Sequence, residues 1–318
     1  MSHDDHRLDP ELLPVILAQR ERYTNRPPMG TLPAAEMRAR ASAEFEIWNA
    51  DPPPIARVRN FAIPATDDGP EIPVRFYDPA PGQVGGCLVY MHGGGWVAGD
   101  LDIEEAGLRH VALAGPVKLL SVDYRLAPEH PFPAAIEDGE RVVRWLTESG
   151  AAELGVDPAR IGLGGASAGA NVALGTALRL RDRGGPSLST LVLLYGAYGG
   201  GRQVSSQVEF GDGRFGLPQI AMEMFWRAYL GEDRTHPHAV PLLADLAGLP
   251  PTFLAKAELD VLADETDLLR ERLEAAGVKV ESRSYRGAMH GFTQYAKVSA
   301  LARSALGDAG RAAAAGLA

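Results

Sequence analysis

Ser167 is the residue whose neighbours most directly predict chemistry in this chain. It lies at the centre of Gly165-Ala166-Ser167-Ala168-Gly169, between a short apolar run and an alanine- and leucine-rich stretch with helical spacing. A strand that becomes a helix within a few small residues turns sharply, so the residue at the apex takes a strained backbone conformation and exposes its side chain. The pattern predicts a nucleophilic serine, but five residues alone are equally compatible with a structural turn.

A serine hydroxyl becomes a good nucleophile only with a base in hydrogen-bonding reach and a carboxylate that orients the base. Three histidines follow Ser167 in the chain: His236, His238 and His290. The first two form a short loop pattern that is usually exposed to solvent, and no third metal ligand lies nearby. His290 follows the last expected strand, at the edge where this type of sheet builds its sites, and we expect it to be the base.

Asp260 is expected to be the acid that orients His290, because it comes directly after an apolar stretch suited to a buried strand. The rival carboxylates lie within that strand or on the helix after it: Glu258, Asp264 and Asp267. Capping of the helix or exposure to solvent explains the two aspartates more simply. Glu258 lies within the strand and not after it, and is the weaker candidate.

Acyl transfer also needs N–H donors aimed at the oxyanion that develops on the attacked carbonyl. His92 is followed by Gly93, Gly94 and Gly95, directly after the apolar run Cys87–Met91. Glycines allow backbone N–H groups to face a cleft without an intervening side chain. With a nucleophile on a strand–turn–helix, this loop is where the second half of an oxyanion hole is expected.

The composition is that of an ordinary globular protein, with 46% apolar and 23% charged residues among 318. The net charge of −10, without a lysine and arginine cluster, argues against a nucleic acid partner. Cys87 is the only cysteine, which excludes an intrachain disulfide and a cysteine zinc site. A Walker lysine and the third glycine of a dinucleotide fingerprint are missing, so no metal or cofactor is expected. Without a signal core or a membrane-spanning run, we expect a cytoplasmic protein.

The elements that must position these residues alternate between strand and helix, which predicts an α/β fold with a doubly wound, mostly parallel sheet. The expected strands are an antiparallel pair followed by short buried runs: Ile55–Ile63, Ile72–Tyr77, Cys87–Met91, Lys118–Val122, the run that begins at Arg160, Thr190–Leu194, Thr252–Ala257 and Lys279–Tyr285. A closing helix is expected from Thr293 onward. The alanine- and glycine-rich tail Ala309–Ala318 is expected to fray.

Two stretches lie outside this alternation. Residues 8–48 have the spacing of two helices, and Gly199–Glu232 is rich in aromatic residues and methionine. The simpler interpretation of both is that they pack against the core. The alternative is that both belong to a lid over a buried site, and their positions in the sequence do not separate the two interpretations.

Five motifs resemble those of the bacterial hormone-sensitive-lipase family, whose members are carboxylesterases with the α/β-hydrolase fold. They stand in the family's order: His92–Asp100, Val122–Asp138, Gly165–Gly169, Asp260–Asp264 and His290–Phe292. The likeness runs from about residue 55 to residue 300. It implies a mostly parallel eight-stranded sheet flanked by helices, with a helical cap, and a serine carboxylesterase without a cofactor.

The resemblance also implies roles for individual residues. Ser167 would be the nucleophile, His290 the base and Asp260 its orienting acid. The other implied residues are the oxyanion donors Gly94, Gly95 and Ala168, the candidate substrate contacts Gly93, Trp96, Phe215 and Phe225, and the structural residues His92, Asp123, Arg125 and Glu129. Gly93 would in addition shape the oxyanion loop.

The implied organisation is a cap on a catalytic domain. N-terminal cap helices would occupy residues 1–50, and the α/β-hydrolase domain residues 51–318, with a second cap segment at about residues 200–235. Two departures stand beside the nucleophile: Ala166 replaces the usual aspartate or threonine, and Ala170 replaces the usual second glycine. The first removes a polar side chain that could act on rate or substrate preference, while the triad stays intact.

The expected partner is a small-molecule ester with a short to medium acyl chain. An amide or lactone hydrolase, or an acyltransferase, would use the same triad, since the pocket decides the substrate. A non-catalytic ligand-binding homologue is a third interpretation, against which the retained His290 argues. An exposed edge strand near Lys279–Tyr285 also makes a homodimer an expectation.

Overall fold

Eight strands of the described residues form a single sheet with the order β1-β2-β4-β3-β5-β6-β7-β8. The structure is a computed structural model that describes residues 4–27 and 31–318. The strands are β1 (Arg57–Ile63), β2 (Ile72–Asp78), β3 (Gly85–Met91), β4 (Lys118–Val122), β5 (Val156–Ala166), β6 (Thr190–Leu194), β7 (Thr252–Leu259) and β8 (Val280–Met289). Only β2 runs antiparallel to its neighbours, and all other pairs are parallel. The prediction of a mostly parallel eight-stranded sheet is confirmed.

Helices follow most strands, as the alternation of patterns predicts. They are α1 (Leu13–Tyr23), α2 (Ala34–Asn49), α3 (Glu105–Ala114), α4 (Ala134–Trp145), α5 (Ala151–Leu154), α6 (Ala168–Asp182), α7 (Ser205–Phe210), α8 (Gln219–Leu230), α9 (Ala263–Ala275) and α10 (Ala300–Gly316). Short 3-10 turns stand at Asp5–Arg7, Pro241–Leu243 and Phe292–Tyr295. Within residues 4–27 and 31–318, no helix combines the length and apolar character needed to cross a membrane.

Strand β3 shows why the apolar runs of the sequence are uninterrupted. Its alternate side chains enter two different cores, with Cys87, Val89 and Met91 on one face of the sheet and Leu88 and Tyr90 on the other. Successive side chains of a strand point to opposite faces, so a strand covered on both sides has no polar face. Helices α4 and α6 contribute to the first core, and α3 and α10 contribute to the second.

Two helical segments lie outside the layers that cover the sheet. The N-terminal segment, residues 4–27 and 31–50, contains α1 and α2, and the insertion segment, residues 200–235, contains α7 and α8. Apolar side chains of both segments are buried in the two cores, among them Met37 and Trp226. Residues 1–3 and 28–30 of the first expected cap segment lie outside the described residues.

The prediction that Ala309–Ala318 frays is wrong. Helix α10 continues to Gly316, and Ala309 and Ala313 are fully buried. Small residues let α10 approach α3 closely: a Cβ atom on Gly310 would lie 2.3 Å from the carbonyl oxygen of Val111. The alanine-rich composition thus reflects a tight helix–helix contact, which short side chains permit. The helix also begins later than expected, at Ala300 instead of Thr293.

The contact between α3 and α10 makes a testable prediction. Alanine favours helix over glycine by about 1 kcal/mol, so Gly310→Ala would stabilise a frayed helix. In the packed helix the added methyl group meets backbone, and we expect the free energy of unfolding to fall by about 1–3 kcal/mol, measured by urea denaturation.

Gly307→Ala is the matched control on the same helix. Its Cβ atom would lie 3.2 Å from the end of the flexible Arg311 side chain, which is free to move aside. We expect this variant to be neutral or stabilised by up to about 1 kcal/mol. Equal gains in stability from both substitutions would contradict the packing described for α10.

Candidate active site

Ser167, His290 and Asp260 form a chain of hydrogen bonds in the structure. The Ser167 Oγ atom lies 2.9 Å from His290 Nε2, and His290 Nδ1 lies 2.7 Å from Asp260 Oδ2. Ser167 is 9% exposed and Asp260 is 1% exposed. The three residues come from the ends of β5, β7 and β8, so parallel strands bring together side chains that lie far apart in sequence. This is the arrangement of a nucleophile, a base and an orienting acid.

The turn that presents Ser167 requires its two flanking glycines. Ser167 has φ 53° and ψ −120°, a conformation that residues with side chains rarely adopt. A Cβ atom on Gly169 would lie 2.0 Å from the carbonyl oxygen of Met91, and one on Gly165 would lie 2.4 Å from that of Gly169. Strand β5 and helix α6 therefore cross the end of β3 at a distance that only glycine permits.

The other carboxylates considered for the acid have different partners. Glu258 accepts a hydrogen bond from the Gly287 N–H at 2.7 Å, and Asp264 accepts one from the Ser206 N–H at 2.9 Å. Asp267 pairs with Lys256. Among the candidates within the described residues, Asp260 is thus the one that reaches His290.

The loop after β3 leaves two N–H groups available. Among hydrogen bonds of the described residues, none uses the N–H of Gly94, Gly95 or Ala168. The Gly93 N–H, in contrast, donates to Glu104 Oε1 at 2.8 Å. Gly94 and Gly95 have positive φ angles of 124° and 63°, which glycine adopts without strain. The described geometry therefore offers the N–H groups that the sequence analysis expected as oxyanion donors.

His92 is buried beside this loop. Its Nδ1 atom lies 2.7 Å from the Gly93 carbonyl oxygen, and its ring stacks on Tyr124 with 4.3 Å between centroids. Burial lowers the pKa of His92 to about 4, which keeps the imidazole neutral near neutral pH. The Tyr124 hydroxyl donates to the His92 carbonyl oxygen at 2.8 Å. These contacts fix the carbonyl groups of His92 and Gly93, the first residues of the loop.

Arg38 of α2 binds the loop at Val97, a contact that the sequence analysis missed. Its Nε atom donates to the Val97 carbonyl oxygen at 2.7 Å, and its Nη2 atom donates to that of Ala127 at 3.0 Å. The same guanidinium pairs with Glu129 and lowers the pKa of that carboxyl to about 2. Glu129 therefore acts on the loop through the N-terminal segment.

The other two residues expected to support the loop have separate surroundings. Arg125 binds Asp138 through a 2.9 Å ion pair at the start of α4. Asp123 follows β4, where burial and the neighbouring Asp100 and Asp102 raise its pKa to about 6. Within the described residues, neither side chain forms a hydrogen bond to the three glycines of the loop.

Trp96, an expected substrate contact, is enclosed by aromatic side chains. Its ring is 1% exposed and stacks on Tyr229 with 4.6 Å between centroids and 3° between ring planes. Trp226 packs against it at 4.4 Å, and the indole N–H donates to Asn171 Oδ1 at 3.3 Å. With its faces and its polar atom occupied, Trp96 joins the loop after β3 to the insertion segment.

Phe215 and Phe225, the other two aromatic candidates, differ in position. Phe215 packs on Phe210 in the apolar cluster that also contains Ile16 of α1. The ring of Phe225 covers Gly95, because a Cβ atom on that glycine would lie 2.5 Å from it. Phe225 therefore lies directly beside a candidate oxyanion donor.

Glu265 ties the insertion segment to the element that follows Asp260. Its Oε2 atom accepts hydrogen bonds from the N–H groups of Tyr198 and Gly199 at 2.5 Å and 2.7 Å, and Gln207 donates to its Oε1 atom at 3.3 Å. The side chain is fully buried. Burial raises the pKa of the Glu265 carboxyl to about 7. The folded protein therefore binds a proton at Glu265 more tightly than the unfolded chain does.

Comparison with protein families and curated proteins gives a consistent result. A family model described as alpha/beta hydrolase fold matches residues 88–294. The carboxylic ester hydrolase LipN of Mycobacterium tuberculosis is 40% identical over 230 residues, which make up 70% of this chain and 61% of LipN. The esterase LipI of the same organism is 40% identical over 77% of this chain and 78% of LipI.

Comparison with solved structures extends the likeness to almost the whole chain. The hyperthermophilic esterase from the archaeon Pyrobaculum calidifontis has a TM-score of 0.90 against this structure. It is 33% identical in sequence, and the alignment covers 97% of this chain and 98% of that one. At this identity and coverage, the similarity includes the two helical segments as well as the sheet.

Glu265 makes a prediction about stability and pH. Between the ordinary carboxyl pKa of 4.5 and the raised value of about 7, the folded protein keeps a proton that the unfolded chain has lost. The contribution of Glu265 to stability therefore falls as pH rises through this window. Relative to the wild type, Glu265→Gln is expected to gain about 1–3 kcal/mol between pH 5 and pH 8, measured by urea denaturation.

Glu271→Gln is the control on the same helix, where the carboxylate is exposed and pairs with Arg270. Its stability relative to the wild type should stay nearly constant over the same pH range. The assignment fails if the Glu265→Gln difference is equally flat.

Proposed function

This chain belongs to the α/β-hydrolase family whose model it matches, and on that premise we propose that it is a serine carboxylesterase. It hydrolyses carboxylic esters with short to medium acyl chains through an acyl-enzyme on Ser167. The observation that carries the proposal is the hydrogen-bonded chain from Ser167 Oγ through His290 to Asp260. The carboxylic ester hydrolase and esterase relatives agree with this reaction class.

In the first half-reaction, Ser167 Oγ attacks the ester carbonyl carbon while His290 Nε2 takes the hydroxyl proton. Asp260 accepts a hydrogen bond from His290 Nδ1, which fixes the tautomer and stabilises the imidazolium. When the tetrahedral intermediate collapses, the bond to the alkoxy oxygen breaks and His290 gives its proton to that oxygen. The alcohol leaves, and the acyl group remains on Ser167.

In the second half-reaction, a water molecule takes the place of the alcohol. His290 accepts a proton from the water as its oxygen attacks the acyl carbon, and it returns that proton to Ser167 Oγ when the carboxylic acid leaves. In both intermediates the carbonyl oxygen becomes an anion. The N–H groups of Gly94, Gly95 and Ala168 bind it, and the last of these also lies at the positive end of α6.

The N-terminal segment and the insertion segment form a cap over this site. Arg38 connects the first segment to the loop after β3, and Tyr229 of the second stacks on Trp96 of the same loop. Phe225 supplies an apolar wall beside Gly95. A wall this close to the oxyanion loop favours acyl groups of short to medium length.

A homodimer through β8 is a second element of the proposal. This strand lies at the edge of the sheet and its residues Glu281–Ser284 are exposed. An exposed edge offers unpaired backbone groups to a second copy of the strand.

Sedimentation velocity should give twice the mass of the chain. Ser282→Lys should yield monomers, whereas Val58→Lys at the opposite edge should not, and a monomeric wild type overturns the proposal.

The triad is tested with p-nitrophenyl esters of increasing acyl length. We expect the wild type to hydrolyse short chains fastest, and Ser167→Ala to lose almost all turnover. Asp260→Asn should lower kcat by about 10⁴, because the amide stabilises the wrong tautomer of His290.

Asp267→Asn is the matched control for the acid, since Asp267 pairs with Lys256 at the surface. It should keep wild-type turnover, and thermal unfolding should show that all three variants are folded. Labelling by a fluorophosphonate should occur in the wild type and disappear in Ser167→Ala. Activity retained in Ser167→Ala would sink the proposed mechanism, and cleavage confined to amides or lactones would reassign the substrate.

A further inference from the structure

Glu104 stands at the N-cap position of α3 and does not cap that helix. Short polar side chains such as aspartate at this position usually accept hydrogen bonds from the N–H groups of the first helical turn, which stabilises a helix by about 1 kcal/mol. The Glu104 side chain makes no such bond. It turns inward, and its Oε1 atom accepts the Gly93 N–H at 2.8 Å. The side chain is directed to the oxyanion loop instead of its own helix.

The Glu104 carboxyl lies where the oxyanion loop meets the turn that carries the nucleophile. A Cβ atom added to Gly93 would be 3.1 Å from Glu104 Oε1, 3.3 Å from the Ala166 carbonyl oxygen and 3.7 Å from Ser167 Cβ. One methyl group would therefore touch the carboxyl, the end of β5 and the nucleophile together. Glu104 therefore lies at the junction between the loop and Ser167.

The surroundings of Glu104 hold it in this position. Its side chain is buried and shares a hydrogen bond with the hydroxyl of Tyr90. Tyr124 and Tyr195 are close enough for its charge to act on their hydroxyl groups. Burial raises the pKa of the Glu104 carboxyl to about 7. A buried carboxyl costs folding free energy, so its presence beside the loop argues for a task in the site.

The oxyanion loop needs an external restraint because its three glycines have no side chains. One contact is made by His92, whose Nδ1 atom lies beside the carbonyl oxygen of Gly93. On the N–H side, Glu104 is the acceptor that the described residues provide to Gly93. Without that acceptor a buried N–H group would lose its partner, and the peptide would gain by turning toward another one. The next two N–H groups, at Gly94 and Gly95, would turn with it.

We propose that Glu104 is a positioning residue of the oxyanion hole, which holds the Gly93 N–H so that the Gly94 and Gly95 N–H groups face the carbonyl oxygen of the substrate at Ser167. The proposal rests on the proposed function, in which these two groups bind the oxyanion. Glu104 touches neither the substrate nor the reacting atoms. Its contribution is to the orientation of the peptide groups that do.

Two substitutions separate the hydrogen bond from the charge. Glu104→Gln keeps an oxygen that can accept the Gly93 N–H, and Glu104→Ala removes it. We expect the glutamine variant to keep kcat within about threefold of the wild type, and the alanine variant to lose about 10- to 100-fold in kcat. KM should change by less than about threefold in both, because the hole acts on the transition state more than on the bound ester.

A trifluoromethyl ketone gives a second readout, because its adduct with a serine hydroxyl carries an oxyanion. The inhibition constant should rise in Glu104→Ala by the same factor by which kcat/KM falls, and stay near the wild-type value in Glu104→Gln. Glu105→Gln is the control: the neighbouring carboxylate pairs with Arg75 and Arg109, away from the loop, and its loss should leave kcat unchanged.

Thermal unfolding shows whether the variants are folded. If Glu104→Ala does not fold, Glu104→Asp replaces it, because the shorter side chain draws the acceptor away from Gly93 while the carboxyl remains. Wild-type kcat in the folded alanine or aspartate variant overturns the proposal, as does a glutamine variant as slow as the alanine one. A loss that appears in KM alone also overturns it. Failure of the proposed function is distinct, since Ser167→Ala would then remain active.

Discussion

The end of β3 and the first turn of α6 touch backbone to backbone, and the rest of the site depends on this contact. The Cα atom of Gly169 faces the carbonyl oxygens of Met91 and His92 so closely that a methyl group does not fit. Strand β3 leads into the glycine loop, and α6 begins directly after Ser167. One steric constraint therefore fixes the distance between the nucleophile and the loop whose N–H groups are proposed to bind the oxyanion.

Much of this arrangement could be predicted from the sequence because the constraints are local. Uninterrupted apolar runs such as that of β3 indicated strands buried on both faces, and small residues around Ser167 indicated a tight turn. Because Asp260 and His290 each follow a later strand, they were expected at the same edge of the sheet as Ser167. These features require a residue type at a position and leave a pattern that can be recognised.

The features that the sequence did not reveal depend on contacts between distant segments. The alanine-rich tail looked frayed because its burial depends on α3, which lies almost two hundred residues earlier. Glu104 stands at the start of α3, and the inward rotation of its side chain has no signature in the sequence. Arg38 binds backbone carbonyl groups, which every residue possesses, so nothing in the chain marks its partners. Trp96 shared a motif with the glycines but belongs to the packing around them.

The stack of Trp96 on Tyr229 has a consequence for how this enzyme evolves. It joins the loop proposed to stabilise the oxyanion to the segment proposed to select the acyl group. Substitutions in the insertion segment that admit new substrates will therefore also disturb the loop, so specificity and rate are not independent traits here. Exchange of this segment between relatives should succeed best when the residue at position 96 is exchanged with it. A substitution at either of the two stacked rings therefore changes the surroundings of the other.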